Sequence, residues 1–374
     1  MSKIWQRSLV LFLILFFLLS FPLSGQAGAA DVKEWPLLNE IKGLVEKYYA
    51  GEVDPKALEQ GAIRGLLSSL GDPFTEYIPP EDVSLFNSAV DDEFGGVGIE
   101  LRVAEEGKIV VFSTLPNTPA ARVGIKPGDI LYMVGLQKVQ GLSLDKVVSL
   151  IRGEPGTPVI LTFIRPGQEE PDIYVLTRET IRPPVLESKI LENKIGYLAL
   201  RSFPYWAPLE VKRALADLNE QGAKSIILDL RGNPGGYLNS ALAISSLFLP
   251  KGTPIVQILD KDGKKETIYS VGPGQDLPVV ALVDRNSASA AEILAGALQD
   301  AGLAKLVGER TFGKASVQSV VRLSNGGALK ITTAHYLTPS GRQISGQGLK
   351  PDYELPGADA QLKKAIELLA AQEL

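Results

Sequence analysis

The sequence contains no cysteine and a single histidine in 374 residues. Without cysteine, no disulfide can brace the fold and no thiol can serve as a nucleophile, so the chain must rest on its core. With His335 standing alone, neither an HExxH motif nor a histidine-rich metal centre can be assembled, and zinc sites made only of carboxylates are uncommon. A zinc hydrolase is disfavoured. Blocks of lysine or arginine are also missing and the net charge is -5, which leaves no electrostatic footprint for nucleic acid. Apolar side chains, in contrast, make up 45% of the chain, enough for two or three domains with buried cores.

The leading residues differ from everything after them. Lys3 and Arg7 precede an apolar run from Leu9 to Leu19, and Ala27-Gly28-Ala29 offers a small-residue cleavage site. Residues 1–29 therefore read as a signal peptide for export. The other reading is an uncleaved membrane anchor, although the run falls short of the ~20 residues that a spanning helix needs.

Three patterns follow. Over residues 30–91 the spacing is helical: "LLNEIKGLVEKYYA" puts Leu37, Ile41, Leu44, Val45 and Tyr48 on one stripe, and "DPKALEQGAIRGLLSSL" opens on an Asp-Pro start signal. The turn-rich "GDPFTEYIPPED" reads as a loop. Over 92–178, short β-type runs ("GVGIELRV", "KIVVFSTL", "DILYMVG", "PVILTFIR") alternate with Gly/Pro turns and one helical segment, "SLDKVVSLIRG". From 179 to 374 the alternation becomes α/β, with apolar strands such as "SIILDL" and "PVVALVD" that indicate a sheet covered on both faces. "VQSVVRLSNGGALKITTAHYLT" reads as a hairpin turning at Asn325-Gly326-Gly327, and "DAQLKKAIELLAAQ" as a closing amphipathic helix.

Two stretches could carry chemistry. In "SASAAEILAGALQD", Ser289 followed by Glu292 fits a capping box, which is the ordinary reading of such a pair. The same serine lies where a buried strand gives way to a helix, beside the N–H groups and positive dipole end that can stabilise an oxyanion. A second anion-binding element is "DLRGNPGG" at 229–236, where glycines free backbone N–H groups, unless it is only a strand-to-helix turn. A base for Ser289 is available in Lys314, provided burial or a dipole lowers its pKa from ~10.4 by roughly 2 to 3 units. A lysine in this setting is ordinarily a solvated surface charge.

"GDPFTEY", "GGVGIEL", "PAARVGIKPGDIL", "DLRGNPGG", "SASAAEILAGALQDAG", "GERTFGKASVQ" and "YLTPSGRQISGQGLKPD" together make the chain, from about Leu37 to Asp352, resemble the carboxyl-terminal processing peptidases, or tail-specific proteases. These are serine endopeptidases with a Ser/Lys pair. The resemblance implies an α/β fold: a crotonase-like catalytic core, an inserted β-rich PDZ domain and a helical N-terminal region. It places the nucleophile on Ser289, the lysine base on Lys314 and a lysine-orienting glutamine on Gln318. The oxyanion donors it implies are the amides of Gly235, Gly236 and Ala290, with Asp300, Glu292 and Thr311 as supports.

The β-rich module resembles a PDZ domain, in which "GGVGIEL" would be the carboxylate-binding loop, so that Gly96, Val97, Gly98 and Ile99 line a site for a peptide terminus. Two departures stand out: "YMVGLQKVQG" lacks the usual Asp-Gly or Asn-Gly turn, and Ala315 follows Lys314 where the family commonly has glycine. The resemblance implies an exported enzyme that needs no cofactor and no metal and acts on proteins with nonpolar C-terminal tails. A homodimer through the N-terminal helices is a further expectation; the charge pattern argues against nucleic acid, and membrane association is expected if the leading segment stays uncleaved. Two other readings remain open: a Ser/His protease using His335, and a PDZ adaptor that binds tails without cutting.

Overall fold

The structure, a computed structural model, describes residues 35–168 and 170–371; the segment read as a signal peptide lies outside them. Among the described residues no helix is long and apolar enough to cross a membrane. The chain divides into two units, Met1–Gly65 and Leu66–Leu374. In the first, Pro36 opens the helix Pro36–Tyr48, and the expected stripe is present but unburied: Leu37, Ile41, Leu44 and Tyr48 are all exposed. The second helix, Pro55–Ser68, starts where Asp54 Oδ1 accepts the Lys56 N–H at 2.9 Å.

In the second unit, a six-stranded sheet runs in the order Leu186–Ile190, Ile195–Leu200, Ser225–Asp229, Val279–Val283, Ala304–Gly308, Tyr353–Glu354. Only the first pair is antiparallel. Every residue of Ser225–Asp229 and Val279–Val283 is buried, because alternate side chains meet different layers. Ile226, Leu228 and Ala281 pack under the helices Ala207–Glu220, Leu238–Phe248 and Ala290–Asp300. Ile227, Val280 and Leu282 meet Ala365 and Leu369 of the closing helix Ala358–Ala370. Two neighbouring strands therefore end side by side, one feeding the turn at 230–237 and the other the turn at 284–289. The turns are stitched together by Gly232 N–H to Asp284 Oδ1 and Ala288 N–H to the Asn233 carbonyl, both 2.9 Å. Crevices outside the carboxyl ends of parallel strands are where such folds hold ligands.

A five-stranded sheet contains the predicted hairpin Ser316–Arg322/Ala328–Leu337, with Gly326 at φ +86°. It also contains two elements the sequence did not reveal. Glu76–Ile78, inside the expected loop, pairs with Ala328–Lys330, and the hairpin Pro254–Asp260/Lys265–Tyr269 adds farther along the same edge, at Ala334–Leu337, opposite Ser316–Arg322.

The β-rich module is an antiparallel sheet of Ile99–Val103, Ile109–Thr114, Ile130–Val134, Pro158–Ile164 and Asp172–Thr177, with the helix Leu144–Ile151 over its core. Its short turn after Val134 works without Asp-Gly because Gly135 itself takes φ +59° and leaves Leu136 98% exposed. The strands entering and leaving the module, Phe94–Gly96 and Glu179–Ile181, pair with each other. Just outside that pair, Arg182 Nε donates to Glu93 Oε2 at 2.9 Å and its other arm reaches the Tyr205 hydroxyl.

Candidate active site

The turn that ends the strand Val279–Val283 gives its two serines different tasks. Ser287 is fully buried; its hydroxyl donates to the Leu230 carbonyl at 2.8 Å and accepts the Asp284 N–H at 2.9 Å. Ser289 is only partly covered and sits at φ +55°, ψ -116°, a conformation an L-residue adopts at a cost of about 1–3 kcal/mol. It heads the helix Ala290–Asp300 and forms a capping box with Glu292.

Glu292 is 1% exposed and accepts four hydrogen bonds. Its Oε2 takes the N–H of Ser289 and of Lys314, each at 2.9 Å; its Oε1 takes the Gly313 N–H at 2.7 Å and the Thr311 hydroxyl. Burial pushes its pKa up, against hydrogen bonds that favour the charged form. With donors on both oxygens, the carboxylate fits its ionised, acceptor-only state. Thr311 is held in turn by the Leu349 N–H, 2.6 Å from its hydroxyl oxygen.

Lys314 is partly buried, and no carboxylate pairs with its ammonium among the described residues. Burial lowers its pKa and the charge of Lys330 lowers it further. Its Nζ lies 4.8 Å from the centre of the Phe74 ring. Phe74 is fixed by Asp72, whose Oδ1 accepts the Phe74 N–H at 3.0 Å and whose Oδ2 accepts the Thr75 hydroxyl at 2.6 Å. Thr75 then accepts the Thr332 N–H at 3.1 Å, docking this loop on the hairpin.

The glycine turn lies directly against the serine. A Cβ on Gly235 would come within 2.8 Å of both the Ser289 Cβ and the Ala288 carbonyl oxygen. One expected oxyanion donor is spent, however: the Gly235 N–H donates to Asn233 Oδ1 at 2.8 Å, and Asn233, fully buried, also donates to the Leu200 carbonyl. The N–H groups of Gly236 and Ala290 have no acceptor among the described residues. Of the three expected amides, those of Gly236 and Ala290 therefore remain available to a ligand, and that of Gly235 does not.

No hydrogen bond joins Gln318 to Lys314 among the described residues. The glutamine amide donates to the Ser316 hydroxyl at 2.7 Å and to Thr332 Oγ1 at 3.4 Å, bracing the hairpin instead. Asp300 holds the far end of the helix, accepting the Ser340 N–H at 2.8 Å and pairing with Arg342. Burial opposes its charge, but Thr338, Ser340 and Arg342 keep its pKa below the usual range. His335 is exposed, and its strand neighbour Tyr336 is buried with its hydroxyl 3.0 Å from the Ser289 carbonyl. Adjacent strand residues point to opposite faces, so His335 faces away from Ser289.

Sequence reasoning missed Tyr336, Phe74 and Asn233. All three lie in motifs that carry the resemblance, but each reads as a strand or turn residue until long-range contacts give it a task.

In the β-rich module, Gly96, Val97, Gly98 and Ile99 line a cavity of about 240 Å³ together with Leu101, Val148, Ile151 and Arg152. Gly98 takes φ +77°, and a Cβ there would lie 2.3 Å from Thr118. The Arg152 guanidinium stacks 4.0 Å from the Phe94 ring centre.

Peptidase family S41 matches residues 194–355, a PDZ domain matches 112–165, and the N-terminal domain of the activating protease CtpB matches 21–82. The chain is 36% identical over 322 residues to the carboxy-terminal processing protease CtpA of Bacillus subtilis, covering 85% of this chain and 69% of that one. It is 33% identical over 357 residues to CtpB of the same organism, covering 93% and 74%. Among solved structures, the photosystem II D1 C-terminal processing protease superposes with a TM-score of 0.52 at 30% identity, covering 85% of this chain and 86% of that one. The chain belongs to the carboxy-terminal processing proteases of peptidase family S41, serine proteases that carry a PDZ domain.

Proposed function

We propose that this protein is an exported endopeptidase in which Ser289 is the nucleophile, Lys314 its base, and the PDZ cavity the receptor for a substrate's C-terminal tail. The observation that carries the reading is the shared carboxylate: Glu292 Oε2 accepts the main-chain N–H of both Ser289 and Lys314, joining a strained serine to a partly buried lysine without a counter-ion. A lysine can take a proton only when its pKa is depressed, and burial acts in that direction.

In this scheme the neutral Lys314 amine removes the Ser289 Oγ proton as Oγ attacks the scissile carbonyl. The oxyanion accepts hydrogen bonds from Gly236 and Ala290 N–H at the positive end of the helix Ala290–Asp300. Lys314 then returns the proton to the leaving amine, giving an acyl-enzyme. Water, deprotonated by the same amine, attacks the acyl carbon; the bond to Ser289 Oγ breaks, the lysine returns its proton to Oγ, and the carboxylic product leaves.

Tail capture follows from the PDZ cavity: an extended peptide adds to the strand Ile99–Val103, its carboxylate meets the loop at Gly96–Gly98, and its last side chain enters the apolar cavity. The exposed stripe of the helix Pro36–Tyr48 is the surface through which two copies pair. The leading segment directs export, with membrane association if it stays attached.

The test is kcat/KM on an unfolded protein ending in a free apolar tail, in its amide, or in an added Asp-Asp. Amidation removes charged hydrogen bonds worth roughly 1.5 to 3 kcal/mol, whereas Asp-Asp keeps the terminal carboxylate but puts a charged side chain where the apolar one enters the cavity, so both altered tails should lose about ten- to a hundredfold. Equal values for all three would reject tail capture. Binding without cleavage by the unmodified protein would make it an adaptor.

A further inference from the structure

The Ser289 and Lys314 peptide groups are held on their carbonyl side as well as on their N–H side. Tyr336 is 2% exposed, and its hydroxyl lies 3.0 Å from the Ser289 carbonyl oxygen and within hydrogen-bond reach of the Lys314 carbonyl oxygen. Its single proton is shared between the two. The Lys314 carbonyl has no other hydrogen-bond donor among the described residues, whereas that of Ser289 also receives the helical N–H of Ile293 at 3.0 Å. The Tyr336 N–H donates to Ala315 at 2.8 Å, so this one residue grips the lysine's segment twice. Opposite it, Glu292 holds the two N–H groups. The strand Ala328–Leu337 that carries Tyr336 also pairs at Ser316 with the segment leaving Lys314.

We propose that Tyr336 is a positioning residue for the proteolytic reaction: its hydroxyl clamps the carbonyls of Ser289 and Lys314 and thereby sets the reach of the lysine amine to the serine oxygen. The proposal rests on the Ser/Lys reading. On that side the Ser289 carbonyl, at a strained helix start, has besides Tyr336 only the helical N–H of Ile293 among the described residues, and Lys314 lies in an irregular stretch between Gly308 and Ser316. A displacement of about 1 Å between reacting groups can cost on the order of a hundredfold in rate.

The experiment compares Tyr336→Phe and Tyr336→Leu with the unmodified protein. It measures kcat and KM on a tailed protein substrate, the rate of Ser289 labelling by a small fluorophosphonate, and Tm. The ring packs in the main core, so Tyr336→Phe keeps the packing and removes only the hydroxyl. If the hydroxyl is the clamp, both variants lose about 10- to 100-fold in kcat and in labelling rate, with KM within about twofold, although Tyr336→Leu loses more Tm. Tyr336→Phe with normal kcat and labelling overturns the proposal. So does a fall in kcat that tracks Tm across the two variants, or one expressed in KM. Lys314→Met in the same series separates the two claims: full activity there refutes the Ser/Lys reading itself, whatever Tyr336 does.

Discussion

The main-chain N–H groups of Ser289 and Lys314 converge on one oxygen of Glu292, each at 2.9 Å. The other oxygen takes Gly313 and Thr311. Replacing either oxygen by an amide NH2 sets donor against donor and removes at least one bond to a charged acceptor, each worth about 1.5 to 3 kcal/mol. Glu292→Gln should therefore lower Tm and reduce kcat/KM by about 10²- to 10³-fold, read by calorimetry and steady-state kinetics. Unchanged values for both would mean that the carboxylate merely caps the helix.

The Phe74 ring bears on the pH profile. Only the neutral amine of Lys314 can accept the serine proton, so kcat/KM should rise with pH through the lysine pKa, with a midpoint below the ordinary ~10.4 because of burial. The face of Phe74, 4.8 Å from Nζ, favours the charged amine and so opposes that lowering. Phe74→Leu keeps apolar cover but removes the π face, so the midpoint should move down, by about 0.4 to 0.7 unit for 0.5–1 kcal/mol. A shift upward would show that Phe74 acts chiefly by excluding water.

Two glycines separate the two proposed sites. A Cβ on Gly235 (φ +101°) would meet Ser289 and Ala288 at 2.8 Å, and one on Gly98 (φ +77°) would meet Thr118 at 2.3 Å. Gly235→Ala should abolish cleavage of every substrate. Gly98→Ala should cost roughly tenfold or more on tailed proteins while leaving short tail-less peptides within about twofold. Equal losses on both substrate types would mean that the PDZ cavity does not select tails.

Local patterns made much of this legible. The apolar runs at 225–229 and 279–283 are buried strands because both faces of the sheet are covered, and period and composition carry that signal directly. The family resemblance, not local pattern, named Ser289, Glu292, Thr311 and Lys314 together, and in the structure the other three all bond to the Glu292 carboxylate. What stayed hidden depends on distant partners. Glu76–Ile78 is a strand only because Ala328–Lys330 lies beside it. Gly235 looked like a free amide donor until Asn233 folded back to take it, and Gln318 found Ser316 rather than Lys314. Tyr336 read as an ordinary strand aromatic, and its hydroxyl acquires a role only where two chain segments meet.

The central claim is that Lys314, not His335, activates Ser289, and one side-by-side measurement tests it: kcat/KM of Lys314→Met and His335→Ala on the same tailed protein substrate, with circular dichroism to confirm folding. His335 is exposed on the strand face opposite Tyr336, whereas Lys314 shares a carboxylate with the serine. The account predicts that Lys314→Met falls to about 10⁻³ of the unmodified value or lower, while His335→Ala keeps more than about half. A folded but inactive His335→Ala beside an active Lys314→Met would contradict it and move the base to the histidine.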